Sequence, residues 1–306
     1  MRAAVIDCGT NTIRLLVADA APDGGLAQVS RAQELVRLGQ GVDATGEFHP
    51  DALARTFAAV DQFAAEIRRL GAQRLRFLAT SAARDVRNRQ DLLDGVRERL
   101  GVEVEVISGD AEARLSFLGA LSGGPVAAGP VLVVDIGGGS TELIRGTLDG
   151  RVQQARSLDI GSVRLRERYL RNDPPLPSEV GQARRLVSEL LDGCPVELAG
   201  AQTWIGVAGT ATSLSAIHQG LTTDYDRVRV HDSKVPGAQV ARLAERLLAM
   251  PVAEVQRRWP MLQQLRAEVI CAGALICAEV ARRAGLEMTV RETDILDGAT
   301  LDLLRS

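Results

Sequence analysis

Two stretches of the sequence share one pattern: VIDCGTNTIRLLV at 5–17 and VVDIGGGSTELIR at 133–145. Each copy predicts an apolar strand that ends in an aspartate, a turn that contains glycine and a hydroxyl residue, and a second apolar strand. An alignment without a gap pairs Val5 with Val133, Asp7 with Asp135, Gly9 with Gly137, Thr12 with Ser140 and Leu15 with Leu143. A unit repeated within one chain predicts two related domains.

The length and the order of predicted elements agree with two domains of α/β class. The chain has 306 residues, whereas one domain commonly takes about 150. Gly and Pro residues punctuate 122–130, so we expect one domain at 1–127 and the other at 128–306. The hydrophobic pattern predicts strands at 3–8, 12–19, 74–79, 102–107, 131–135, 141–146 and 202–207, and helices at 50–70, 88–100, 110–121, 177–192, 236–249, 271–284 and 294–304.

Composition and charge exclude several classes of protein. The net charge of -3 argues against a surface that coats nucleic acid, because binding to a phosphate backbone needs a basic excess. No apolar run approaches the ~20 residues that span a bilayer, so we expect a cytoplasmic protein without a membrane partner. The four cysteines and three histidines show no spacing of a zinc site or a disulfide framework, and we expect reduced, mostly buried thiols.

The repeated turns have the composition of phosphate-binding loops. An aspartate at the end of a buried strand, followed by a tight glycine turn, places a carboxylate beside backbone N–H groups that no side chain shields. Such a turn binds phosphate oxygens, and its aspartate holds a divalent cation or the water around it. In the second copy Gly137, Gly138 and Gly139 remove every Cβ, while Ser140 and Glu142 add a hydroxyl and a carboxylate. One such turn alone is equally typical of a β-hairpin, but two copies favour phosphate binding.

A candidate general base lies in the stretch ISGDAEARLSF at 107–117. A strand end and a glycine turn precede a helix whose first turn carries Asp110 and Glu112. Carboxylates in a first turn are often only partners of the helix dipole. Hydrolysis, however, needs a base that orients and deprotonates water. Because Glu112 comes shortly before the predicted domain boundary, we assign it that role.

The stretch ATSAARDVRN at 79–88 places hydroxyls and then arginines directly after a predicted strand. The planar guanidinium of arginine can engage two phosphate oxygens and compensate the charge of a transferring phosphoryl group. A solvated helix face is the alternative, and it is the better interpretation for Arg87 and Arg89. Arg84 is nearest to the strand end and is our candidate for the catalytic arginine.

A third unit of strand and turn, WIGVAGTATSL at 204–214, ends at a predicted helix start. A helix N-terminus binds anions through its free N–H groups. We therefore predict that Gly209 and Thr210 contact the substrate. A glycine turn with a threonine cap is the alternative.

With these motifs in hand, the chain resembles the exopolyphosphatase/guanosine pentaphosphate phosphatase family over nearly its whole length. The short chain is similar to the two-domain exopolyphosphatases of actinobacteria. The resemblance rests on the stretches AAVIDCGTNTIRLLVAD, LATSAARDVRN, VISGDAEARLSFLGA, VVDIGGGSTELI, LDIGSVRLRERYL, GVAGTATSL and ETDILDGATLDLL. It implies two actin-like ATPase (ribonuclease H-like) domains with the active site in the cleft between them, and a last helix, 294–304, that packs back on the first domain.

The resemblance also implies roles for individual residues. Glu112 falls on the catalytic base of the family. Ala111 stands where the family has the first of two adjacent glutamates, so Glu112 is the one carboxylate able to fill the base position. The implied phosphate ligands are Gly9, Thr10 and Asn11 in the first loop and Gly137, Gly138, Gly139 and Ser140 in the second. The implied metal ligands are Asp7, Asp135 and Glu142.

The function that these residues imply is exopolyphosphatase activity, the release of orthophosphate from the end of inorganic polyphosphate. Guanosine pentaphosphate is the alternative substrate. A kinase of the same superfold, or a sensor that binds polyphosphate or guanosine tetraphosphate without turnover, is the alternative class. We expect Mg²⁺ as the cofactor, with Mn²⁺ as the second choice, and a homodimer.

Overall fold

The computed structural model describes residues 1–84 and 86–306, which form two compact units. The first unit contains Met1–Ser122 together with Thr293–Ser306, and the second contains Gly123–Glu292. The chain therefore returns to the first unit for its last helix. Throughout these described residues, no helix is both long enough and apolar enough to cross a membrane.

The first unit is a mixed sheet with helices on both faces. Its strands are β1 (Arg2–Cys8), β2 (Thr12–Ala20), β3 (Leu26–Leu35), β4 (Arg74–Ala79) and β5 (Val104–Val106). Its helices are α1 (Val42–Thr45), α2 (Pro50–Leu70), α3 (Ser81–Arg84), α4 (Arg89–Leu100), α5 (Gly109–Ser122) and, at the end of the chain, α14 (Ile295–Arg305).

Strand β1 organises the first sheet. It pairs antiparallel with β2 and parallel with β4, and the strand order is β3-β2-β1-β4-β5. Because side chains alternate along a strand, Ile6 lies in a core with residues of α2 and α4, whereas Val5 lies in a core with residues of α5 and α14. The apolar run at the start of the chain is thus buried on both faces.

The second unit repeats this arrangement. Its strands are β6 (Val131–Ile136), β7 (Thr141–Gly146), β8 (Val152–Leu158), β9 (Thr203–Val207), β10 (Ser233–Val235) and β11 (Met288–Val290). Its helices are α6 (Ser162–Tyr169), α7 (Pro177–Asp192), α8 (Ala208–His218), α9 (Arg227–Val230), α10 (Gly237–Leu248), α11 (Val252–Arg258), α12 (Gln264–Ala267) and α13 (Ile270–Ala284). The large core of this unit packs α7, α8, α10 and α13 on one face of the sheet.

The two sheets have the same topology. The second sheet has the order β8-β7-β6-β9-β11-β10, in which β6 is antiparallel to β7 and parallel to β9. Its first five strands match β3-β2-β1-β4-β5 in order and in direction, and β10 is an addition at the edge. The duplication predicted from the repeated sequence pattern is therefore confirmed.

The predicted strands and helices all occur, with ends that differ by at most two residues. The hydrophobic pattern missed β3 and β8, because most of their residues are exposed or half-buried and the strands lack a clean apolar stripe. It indicated a helix start at 204–214 but gave no bounds for α8, whose first residues, AGTATS, are typical of a turn. The pattern also gave no bounds for β10, β11, α1, α3, α6, α9, α11 and α12, all of which except α6 and α11 have only three or four residues.

Helix α14 packs on α5 at very short range. A Cβ on Gly119 would lie 1.7 Å from the carbonyl oxygen of Asp294, and a Cβ on Gly298 would lie 1.9 Å from that of Leu115. The two backbones touch because both helices have a glycine at the crossing. This contact holds α14 against the helix that carries Glu112.

Candidate active site

The two repeated turns have the same backbone hydrogen bond. The N–H of Gly9 donates to the carbonyl oxygen of Thr12 at 2.9 Å, and the N–H of Gly137 donates to that of Ser140 at 3.0 Å. Each bond closes the turn directly after the aspartate at the end of a central strand. The equivalence read from the sequence thus extends to the geometry of the loops.

In the second loop, the carbonyl oxygens are already occupied. The first turn of α6 approaches the loop, where the N–H of Ser162 donates to Gly137 O and the N–H of Val163 donates to Gly138 O, both at 2.9 Å. The approach requires a glycine just before the helix, because a Cβ on Gly161 would lie 2.4 Å from Gly138 O. Helix α6 therefore holds the loop from its carbonyl side.

The first loop is held in the same way by the segment after β3. The N–H of Gly39 donates to Thr10 O at 2.9 Å, and the N–H groups of Val36 and Arg37 donate to Asn11 O at 3.1 and 3.0 Å. A Cβ on Gly39 would lie 2.2 Å from Cγ2 of Thr10, so this approach also needs glycine. The hydroxyl of Thr10 lies 2.9 Å from that of Ser81, which joins the loop to α3.

The N–H groups of both loops remain available. Within residues 1–84 and 86–306, no hydrogen bond uses the N–H of Thr10, Asn11, Gly138 or Gly139. Successive N–H groups without partners, on a backbone whose carbonyls are occupied, form a concave donor surface that suits an anion. Each loop is also the turn of a β-hairpin, because it joins two antiparallel strands, and its available N–H groups make it suited to bind phosphate as well.

The two loops differ in the residue that faces the aspartate across the strands. Asp7 is opposite Arg14 on β2, and Asp135 is opposite Glu142 on β7. Arg14 donates to Asp7 Oδ2 from Nε at 3.2 Å and from Nη2 at 2.5 Å. Burial raises the pKa of the Asp7 carboxyl above its ordinary value, and the charge of Arg14 opposes this effect. Arg14 therefore offsets only part of the cost of burying this carboxylate.

The second loop has the donor set that a divalent cation prefers. Asp135 and Glu142 are both buried carboxylates, and Ser157 Oγ donates to Glu142 Oε1 at 2.7 Å. In the part of the chain that the structure describes, no three His, Cys, Asp or Glu side chains form a cluster that could enclose a metal. Mg²⁺ is commonly held by one or two carboxylates together with substrate phosphates, so Asp135 and Glu142 fit it. In the first unit, the buried Oδ1 of Asp7 has no hydrogen-bond partner among the described residues.

The two predicted catalytic residues lie side by side in the first unit. Arg84 Nη1 donates to Glu112 Oε2 at 2.7 Å and to the carbonyl oxygen of Ile107 at 3.2 Å. Both side chains are mostly buried. The ion pair places the positive charge of Arg84 directly beside the Glu112 carboxylate. Arg87, by contrast, is exposed and pairs with Glu47, as expected for a residue on a solvated face.

The predicted site at Gly209 and Thr210 includes a residue that the sequence did not suggest. Gly209 lies at the start of α8, and a Cβ at this position would be 1.7 Å from Nη1 of Arg266. The guanidinium therefore rests directly on the glycine. Thr210 donates from its hydroxyl to Ile136 O at 3.3 Å, which ties α8 to the end of β6. Arg266 is 57 residues further along the chain than Gly209, in a short helix without a motif, so only the fold brings the two together.

Comparisons with known proteins give the family. The model of the Ppx/GppA phosphatase family matches residues 16–297. The chain belongs to the Ppx/GppA phosphatase family. It is 47% identical over 319 residues to Exopolyphosphatase 2 of Mycobacterium tuberculosis, and the alignment covers 99% of this chain and 98% of that protein.

Solved structures of family members have the same fold. The crystal structure of an exopolyphosphatase-like protein matches with a TM-score of 0.94 at 38% identity, covering 98% of this chain and 97% of the other. The Ppx/GppA family member of Aquifex aeolicus matches with a TM-score of 0.83 at 28% identity, covering 99% and 97%. The predicted family and the predicted duplicated, actin-like α/β fold are both confirmed. The roles of the individual site residues remain predictions.

Proposed function

We propose that the chain is an exopolyphosphatase, which hydrolyses the terminal phosphate of inorganic polyphosphate and releases orthophosphate. The observation that carries the proposal is the pair of equivalent loops whose carbonyls are occupied and whose N–H groups are available to an anion. The second support is the 47% identity, over 99% of this chain, to a protein named Exopolyphosphatase 2.

The residues suggest how the reaction proceeds. Glu112 takes a proton from water, the water oxygen forms a bond to the terminal phosphorus, and the bond from phosphorus to the bridging oxygen breaks in line with it. The leaving group is the polyphosphate chain shortened by one unit. The N–H groups of the loops and the guanidinium of Arg84 stabilise the charge on the phosphoryl oxygens. The hydrogen bond from Arg84 to Glu112 holds the base and the arginine next to each other.

The second loop supports magnesium as the cofactor. Asp135 and Glu142 would hold the ion in the second unit, and in the first unit Asp7 Oδ1 is the candidate ligand of a cation. When bound, Mg²⁺ would neutralise the charge of the substrate phosphates and lower the barrier to attack. Mn²⁺ prefers the same oxygen ligands and is the alternative.

The test is phosphate release from polyphosphate in the presence of Mg²⁺ and without any added acceptor. Wild-type protein should release orthophosphate, and Glu112→Gln should lower kcat by about 100- to 10,000-fold while polyphosphate still binds. Turnover that depends on an added acceptor would indicate a kinase, and binding without turnover would indicate a sensor. An E112Q variant with wild-type kcat would overturn the assignment of the base.

The same assay on guanosine pentaphosphate separates the two substrates of the family. The proposal requires kcat/KM for polyphosphate to exceed that for guanosine pentaphosphate. The reverse order would make the chain a guanosine pentaphosphate 5'-phosphohydrolase. The expected homodimer is tested separately by light scattering on the purified protein.

A further inference from the structure

Three buried carboxylates of the first unit form one hydrogen-bonded network with two arginines. Asp7, Asp294 and Asp297 are only 3%, 4% and 5% exposed. Arg14 bridges two of them, because its Nε and Nη2 donate to Asp7 Oδ2 while its Nη1 donates to Asp294 Oδ2. Burying a charge costs free energy unless an opposite charge pairs with it. A buried set of this kind therefore indicates a role for these charges.

Asp294 also caps the last helix. Its Oδ1 accepts from the N–H of Leu296 at 3.0 Å, and its own N–H donates to Asp297 Oδ2 at 3.0 Å, which together form a capping box at the start of α14. Arg31 on β3 pairs with the other oxygen of Asp297. Two arginines thereby hold the first turn of α14. In these hydrogen bonds Arg14 also contacts Asp7, whereas Arg31 does not.

The consequence for Asp7 is specific. Both hydrogen bonds from Arg14 fall on Oδ2, and Oδ1 is buried with no hydrogen-bond partner among the described residues. The orientation of the carboxylate is therefore set by the position of Arg14, which is set in turn by Asp294. The same helix touches α5 at Gly119 and Gly298, so α14 contacts both the support of Asp7 and the helix that carries Glu112.

We propose that Asp294 is a positioning residue for phosphate release, acting through Arg14 to orient Asp7 Oδ1 toward a cation bound beside the first loop. This inference rests on the proposed function. Helix α14 then belongs to the catalytic framework through the contact of Asp294 with Arg14. Groups that orient a ligand of a metal typically change affinity or activity by about 10- to 100-fold when removed.

The test compares Asp294→Asn with Asp297→Asn. Asparagine is a good helix cap, so D294N keeps the cap and the shape but loses the charge that fixes Arg14. D297N removes an equally buried charge from the same turn, and its arginine does not contact Asp7. Both variants should lower the melting temperature by similar amounts. Only D294N should lower kcat for polyphosphate and raise the Mn²⁺ dissociation constant measured by calorimetry, each by about tenfold or more.

The conservative variant Arg14→Lys completes the design, because lysine retains the charge but not the fork that reaches both carboxylates. It should retain more activity than Arg14→Ala and less than wild type. Equal kcat and equal Mn²⁺ affinity in D294N and D297N would overturn the positioning role. If the wild-type protein releases no phosphate, the proposed function fails. The positioning role is then decided by the Mn²⁺ dissociation constants of D294N and D297N alone.

Discussion

Glu142 lies directly opposite Asp135 on the paired strands β6 and β7. At the equivalent place in the first unit an arginine, Arg14, faces Asp7. One copy of the repeat thus places opposite charges side by side, and the other places two buried carboxylates side by side. Neighbouring like charges in a buried site repel each other unless a cation or a proton compensates them. We therefore propose the second copy as the site where two carboxylates share a divalent cation.

Replacing Glu142 by Gln should weaken the binding of Mg²⁺ at this site. E142Q removes one charge while keeping the size of the side chain, so the Mg²⁺ concentration for half-maximal phosphate release should rise by about tenfold or more. Ser157→Ala is the matched control, because it removes only the hydrogen bond to Glu142 Oε1, and its shift should be smaller. The same half-saturating Mg²⁺ concentration in wild type and E142Q would exclude Glu142 as a ligand.

Local sequence patterns predicted the duplication, the main strands and helices and the paired loops, because each depends on residues close together in the chain. Arg14 could also have been found, since it aligns with Glu142 in the repeat. Asp294 could not, because 280 residues separate it from its partner Arg14. Arg266 is likewise brought to Gly209 by folding alone. The charges that orient a site come from distant elements, and no short motif encodes them.

The crossing of α14 and α5 should tolerate no side chain. A Cβ at Gly298 would lie 1.9 Å from a backbone oxygen, so Gly298→Ala must separate the helices and should lower the free energy of unfolding by about 2–3 kcal/mol. Gly181 in α7 is the control, since the nearest atom to its Cβ would be 3.9 Å away, and Gly181→Ala should raise stability by about 0.5–1 kcal/mol. Urea unfolding of both variants measures the difference. A G298A variant as stable as wild type would contradict the backbone contact.

The thiol of Cys277 should make stability fall at high pH. Burial raises the pKa of this thiol to about 12, whereas an unfolded thiol ionises near pH ~8.5. The contribution is fully present below the unfolded pKa and is lost as the pH rises toward the folded one. Between pH 8 and 10, wild type should lose about 2 kcal/mol of unfolding free energy beyond what Cys277→Ala loses. Parallel pH profiles for the two proteins would show that the thiol titrates normally in the fold.

Replacing Gly209 should change activity by displacing Arg266, and not by straining the backbone. A Cβ at this position meets the end of a flexible arginine side chain, so Gly209→Ala should displace the guanidinium while leaving the melting temperature nearly unchanged. If Arg266 contacts the anionic substrate, G209A should lower kcat/KM by about 10- to 100-fold, the worth of one hydrogen bond to a charged group. Arg266→Ala should have a similar effect, and the double variant should be little worse than either one. Additive losses in kcat/KM would mean that the two residues act separately.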